Sequence, residues 1–165
     1  MNKSSDESVE PDATDLRILE LLQRDVSMSN QALAAAVHTS AATCLRRVKR
    51  LVDAGVIERR VALLSPQKLG AGQLTAFAEV SLDRQGAEHL AAFEARAVAD
   101  AGVQQCYRVT PGPDLMLVLQ LADMAAYHAL VQRLFTQDAN VRNVKTFFSV
   151  HRAKYETAVP LPAAT

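Results

Sequence analysis

The chain has 165 residues, of which 49% are hydrophobic and only 5% aromatic, with no Trp. That length suits one or two small domains whose cores are built from Leu, Val and Ala. Eighteen Lys and Arg balance eighteen Asp and Glu, the two cysteines Cys44 and Cys106 form no CxxC pair, and no run approaches the roughly 18 apolar residues of a membrane span, so a globally basic protein, a disulfide framework, a zinc ribbon and a transmembrane helix are all excluded.

Residues 1–11 are polar and acidic and end in Pro11, which reads as a disordered tail without the apolar core of a signal peptide. Asp12 or Thr14 is placed to cap a first helix, in which Leu16, Leu19 and Leu22, with Ile18 beside them, form an apolar stripe. Ser29 caps a short second helix carrying Leu33 and Val37. His38 and Thr39 make a tight connection. Ser40 then caps a third helix that runs to Ala54, and Gly55 follows where a left-handed C-cap residue belongs. Three short helices joined this way, the last one basic, predict a helix-turn-helix.

The neutral total conceals a segregation of charge. Residues 1–15 carry a net charge of −4, and residues 38–60 a net of +4 through Arg46, Arg47, Lys49, Arg50, Arg59 and Arg60. A local basic face is what phosphate contact requires. At about 100° per residue, Cys44, Leu45, Val48, Leu51 and Val52 cluster on the side of the third helix expected to pack. Thr43, Arg46 and Arg50 lie opposite, with Arg47 and Lys49 flanking them and the small Ala41 and Ala42 at the N-terminal end. Small and hydroxylated residues let a helix approach base edges, and Arg can read guanine through two parallel hydrogen bonds. The expected DNA contacts are Ser40, Ala41, Ala42, Thr43, Arg46, Arg47, Lys49 and Arg50, with the outer cations serving phosphate.

After Gly55 the texture changes. Val56–Leu64 is strand-like and predicts a short wing or hinge strand, closed by Ser65 and Pro66. Leu74–Leu82 alternates as a strand, Ala87–Ala101 is an Ala-rich helix, Val103–Val109 a strand, and Thr110-Pro111-Gly112-Pro113 a turn. Leu115–Leu121 is an apolar strand, Met124–Phe135 a helix and Val141–Val150 a strand. The order βαββαβ predicts a ferredoxin-like domain. The fold class is therefore α+β: a winged helix-turn-helix at 12–64, a hinge at 65–73, a ferredoxin-like domain at 74–154 and a C-terminal tail at 155–165.

The segments Asp15-Leu16-Arg17-Ile18-Leu19, Ser29-Asn30-Gln31-Ala32-Leu33-Ala34, Ser40-Ala41-Ala42-Thr43-Cys44-Leu45-Arg46-Arg47-Val48-Lys49-Arg50-Leu51 and Gly55-Val56-Ile57, in this order and spacing, resemble the Lrp/AsnC family of transcription regulators. The resemblance implies a sequence-specific regulator of double-stranded DNA, a homodimer paired through its sheets and assembled into tetramers or octamers, and a small effector, often an amino acid, bound between dimers. It carries Thr110, Gly112, Asp114 and Thr146 over as effector-binding residues. One departure matters: the family places a Gly, two variable residues and an Asp in this turn, Asp114 matches the Asp, but Pro111 stands where the Gly is expected, removing a backbone donor and fixing φ, and Gly112 is displaced by one. No catalytic residue, cofactor or metal is expected, the histidines sharing no ligand spacing, and the location expected is cytoplasmic and nucleoid-associated. Two rivals are an architectural DNA binder without effector control and a siroheme decarboxylase-like enzyme on the same fold. The aliphatic strands and scattered histidines speak against the second.

Overall fold

The computed structural model describes residues 10–65, 68–69 and 74–162. They fall into two compact units, which part between Leu63 and Leu64 and again between Ala153 and Lys154. Nearly all of the expected N-terminal tail, and most of the hinge assigned to 65–73, lie outside the described residues.

The first unit contains α1 (Ala13–Arg24), α2 (Asn30–Ala36) and α3 (Ala41–Asp53). Each starts after a side chain that satisfies the free N–H groups of the first turn. Asp12 Oδ1 accepts from the N–H groups of Thr14 and Asp15, both at 2.9 Å, and Asp15 Oδ2 accepts the Asp12 N–H at 3.1 Å, completing a capping box. Ser29 accepts from Ala32 at 3.1 Å and Ser40 from Thr43 at 3.2 Å. His38, at φ 54°, turns the chain between α2 and α3, and Gly55, at φ 72°, takes the left-handed conformation past the end of α3. Ile18, Leu19, Leu33, Ala34, Val37, Cys44, Val48 and Leu51 form the core. Full burial of Ile18 and Leu51 contributes about 1.5–3 kcal/mol each. Asn30 Nδ2 donates to the Ala41 carbonyl at 2.8 Å and ties the start of α3 to the start of α2.

Two expectations fail in this unit. Leu45 and Val52, assigned to the packed side of α3, are 60% and 42% exposed. The buried arc is narrow, because α1 and α2 leave room only for Cys44, Val48 and Leu51, spaced by four and three residues. A residue about 100° further round falls outside it. Val56–Leu64 forms no strand among the described residues. No neighbouring strand within the unit offers a ladder, and an unpaired strand has nothing to satisfy its backbone. The described part of the C-terminal tail expected at 155–165 groups, together with Lys154, with this helical unit.

The second unit is a four-stranded antiparallel sheet of order β2-β3-β1-β4, with β1 Leu74–Leu82, β2 Val103–Arg108, β3 Leu115–Leu121 and β4 Val141–Phe148. The crossovers are α4 (Ala87–Ala99) and α5 (Met124–Leu130), the latter widening into a π-helical turn at Val131–Thr136 instead of continuing as an α-helix to Phe135. This is the ferredoxin-like arrangement expected. Ala76, Ala78, Val80 and Leu82 face the same way as Leu115, Leu117, Leu119 and Leu121, under Phe93, Ala97, Leu130, Leu134 and Phe135. The Phe93 and Phe135 rings stack at 6.4 Å. A Cβ at Gly102 would lie 2.6 Å from a Leu121 methyl and 2.9 Å from a Leu130 methyl, so any side chain there would force these buried leucines to move. Asp100, just after α4, accepts from Arg133 at 2.5 and 2.9 Å and from the Gly102 N–H at 2.9 Å, and so links the two crossovers.

Candidate DNA-binding and effector sites

The exposed surface of α3 is made by Ala41, Ala42, Leu45, Arg46, Lys49 and Arg50, with Val52 and Asp53 at its C-terminal end. Arg46 makes no ion pair among the described residues. Lys49 pairs with Asp53 at 2.5 Å across one turn, an exposed contact that competes weakly with phosphate. Ser40 Oγ donates to Thr43 Oγ1 at 2.9 Å while it accepts the Thr43 N–H, so both hydroxyls are engaged in starting the helix.

The remaining two arginines are held from behind. Asp15 is fully buried and is the single buried charged residue among those described. Its carboxylate accepts from Arg47 Nη1 at 2.9 Å, from Arg50 Nη2 through a short contact and from the Asp12 N–H. Arg47 also donates to Asp12 Oδ2 at 2.7 Å. The Asp15 N–H, followed by the Arg47 guanidinium, holds the Asp12 carboxyl below its ordinary value, and the two carboxylates push Arg47 up. A buried carboxylate is tolerable only with such partners. The start of α1 thus clamps the middle of α3. Arg47 is 25% exposed and spent on this clamp, while Arg50, 47% exposed, keeps part of its donor fork toward solvent. The sequence reading missed the clamp because its partners lie more than 30 residues apart. Arg46 makes no ion pair among the described residues, and Leu45 beside it is an exposed apolar group of the kind that packs on a thymine methyl.

The four effector candidates divide. Thr110 and Pro111 are joined by a cis peptide, and Gly112 sits at φ 122°. Asp114 Oδ2 accepts the Leu82 N–H at 2.7 Å, and the Asp114 N–H donates to the Val80 carbonyl at 2.9 Å. Asp114 thereby braces the turn against the end of β1, where the pairing with β4 shifts register. Thr146 lies opposite Ala78 on β4, on the helix-covered side of the sheet, and its buried Oγ1 has no hydrogen-bond partner. Leu117 is level with Thr146, so Asp114 lies two strands across and three residues along, about 14 Å away at ordinary strand spacings. A single chain does not bring Thr146 together with the 110–114 turn. A groove of about 300 Å³ beside β4, lined by Tyr127, Val131, Thr136 and Val144 among others, contains none of the four.

The uncovered side of the sheet presents Phe77, Tyr107 and Phe147 to solvent, with Met116 and Val118 half-buried between them. Burial pushes the Cys44 and Cys106 thiols up, which suits packing groups rather than thiolate nucleophiles. The described residues hold no cluster of three metal-ligating side chains, and no described helix is long and apolar enough to cross a membrane.

A three-helix unit with one basic, exposed helix, joined to a ferredoxin-like unit, has the make-up of a two-unit DNA-binding transcriptional regulator. Residues 11–58 match a model of winged helix-turn-helix DNA-binding domains, and residues 75–159 match the Lrp/AsnC ligand binding domain. The chain belongs to the Lrp/AsnC family. It is 34% identical to the DNA-binding transcriptional activator DecR of Escherichia coli over 91% of this chain and 98% of that one. It is 37% identical to the leucine-responsive regulatory protein of Rhizobium meliloti over 88% and 93% of the two chains. A transcriptional regulator of Neisseria meningitidis, solved as a complex with L-Met, superposes with a TM-score of 0.80 at 32% identity, covering 90% of this chain and 96% of the other. These relatives are regulators rather than enzymes, which sets aside the decarboxylase reading.

Proposed function

We propose that the protein is a sequence-specific regulator that binds double-stranded DNA as a homodimer and responds to an amino acid. The observation that carries this reading is the division of labour on α3. Arg47 and Arg50 are anchored on Asp15, while Ala41, Ala42, Leu45 and Arg46 form a shallow exposed face suited to a major groove. The bases are read by Arg46 and Leu45, and Lys49 and the free part of Arg50 neutralise phosphate. The wet side of the sheet supports dimerisation, since Phe77, Phe147 and Tyr107 make an apolar patch that a second copy covers by symmetry. Dimers assemble further into tetramers or octamers, and the protein works in the cytoplasm, on the nucleoid.

The effector reading is supported by the orphaned Thr146 hydroxyl, which a bound polar ligand would satisfy, and by the L-Met complex of the Neisseria relative. Since Thr146 and the turn at Thr110, Gly112 and Asp114 are far apart in one chain, the ligand sits where two chains supply them together. The rival, an effector-independent architectural protein, is favoured by Asp114 being spent on the Leu82 N–H. Selecting duplexes from a randomised pool, then measuring affinity for the winners with and without each amino acid, separates the readings. An enriched palindrome whose affinity shifts with one amino acid is the expected result. Enrichment without any shift favours the architectural protein, and no enrichment overturns sequence-specific binding.

A further inference from the structure

We propose that the outer face of α1 is a docking site for an extended peptide, and that its ligand is this chain's own C-terminal segment, Ala158–Pro162. The central contact is reciprocal. Gln23 Nε2 donates to the Val159 carbonyl at 3.1 Å, and Gln23 Oε1 accepts the Val159 N–H at 2.7 Å, across 136 positions of sequence. A primary amide offers a donor and an acceptor side by side, so it reads a peptide backbone much as a neighbouring strand does. Two residues on, Leu161 packs against the helical core cluster. Pro160 and Pro162 flank it, each lacking an N–H that docking would leave unsatisfied and each limiting the freedom of the undocked segment. Helix and segment together line a groove of about 500 Å³, with Leu16, Arg17 and Glu20 on the helix side.

The docked segment is the continuation of β4, the strand that carries Thr146. The chain therefore joins its two units twice, once through Leu63–Leu64 and once through Ala153–Lys154. A single connection leaves a unit free to swing, whereas a second one closes a loop and confines it. The docked segment is thus a second tether on the DNA-binding unit. The tether role rests on the function proposed above, while the docking itself does not.

Amide hydrogen exchange in the full-length chain tests the docking directly. The Val159 amide is expected to be protected. Gln23→Ala, at an exposed site on α1, should lower that protection about tenfold or more, the equivalent of losing two hydrogen bonds. Leu161→Asp should do the same from the other side of the contact. Exchange at the free-peptide rate in the unmodified chain, or indifference to Gln23→Ala, would overturn the docking. Protection that falls on dilution would assign the segment to a second copy and overturn docking within one chain. For the tether, both variants should weaken binding to a selected duplex by a common factor of several-fold. Unchanged affinity alongside lost protection would overturn the tether and leave the docking standing.

Discussion

Asp15→Asn keeps the shape of the buried side chain and removes its charge. Arg47 and Arg50 then face an amide that offers one acceptor oxygen in place of two ionised ones. Removing one partner of a fully buried ion pair costs about 3–5 kcal/mol. Two features reduce that figure here. Arg47 keeps Asp12 at 2.7 Å, and Arg50 is 47% exposed, so water replaces part of what it loses. The expected loss is about 2–3 kcal/mol for the helical unit, given about 1.5–3 per hydrogen bond to a charged group. In a unit this small that lowers the unfolding midpoint by about 10–20 °C. Circular dichroism on the full chain should show the helical transition moving down while that of the sheet unit stays. A double-mutant cycle with Arg47→Ala should give a coupling of about 1–2 kcal/mol. A variant within about 0.5 kcal/mol of the parent, the range of an ordinary surface change, would refute the clamp.

Arg46→Ala should weaken binding to a selected duplex by about 1–3 kcal/mol and relax the preference at one base position, whereas Lys49→Ala should weaken all sequences alike and lower the salt slope by about one; competition gel shifts at two salt concentrations separate them. Thr146→Val removes an unsatisfied hydroxyl, so the unliganded melting point should hold or rise slightly while the thermal shift given by the cognate amino acid disappears; an undiminished shift removes Thr146 from the pocket. The Arg133 guanidinium holds the Asp100 carboxyl below its ordinary value in the folded chain. Its contribution is therefore fully present above the unfolded value of about 3.9 and is lost as pH falls through the lowered folded value. The stability gap between the parent and Asp100→Asn should be flat near neutrality and close below about pH 4, and a gap that persists in acid contradicts the pairing.

Local chemistry made much of this fold legible. Asp12, Ser29, Ser40 and Gly55 punctuate the helices where their side chains or backbone freedom are needed, and the alternation in β1 gives both its limits and its buried face. What escaped were features fixed by distant partners. A helical wheel assigns Leu45 and Cys44 to one face, but where α1 and α2 stop decides that only Cys44 is covered. The arginines of α3 look interchangeable until Asp15, some 30 residues earlier, selects Arg47 and Arg50. Val56–Leu64 has the composition of a strand but finds no ladder to join among the described residues. The C-terminal segment has the composition of a tail, yet Val159 meets Gln23 and Leu161 packs against the helical core, both more than 130 positions away in sequence from α1.

The Asp15 clamp separates holding from reading along a single helix. Cys44, Val48 and Leu51 through burial, and Arg47 and Arg50 through Asp15, hold α3 in place. The side chains of Ala41, Ala42, Leu45 and Arg46 are exposed and make no hydrogen bond or ion pair among the described residues. With α3 reading DNA as proposed, operator preference can be rewritten at those four positions with little penalty in stability, and two regulators sharing this scaffold can diverge in the sequences they recognise while keeping one fold.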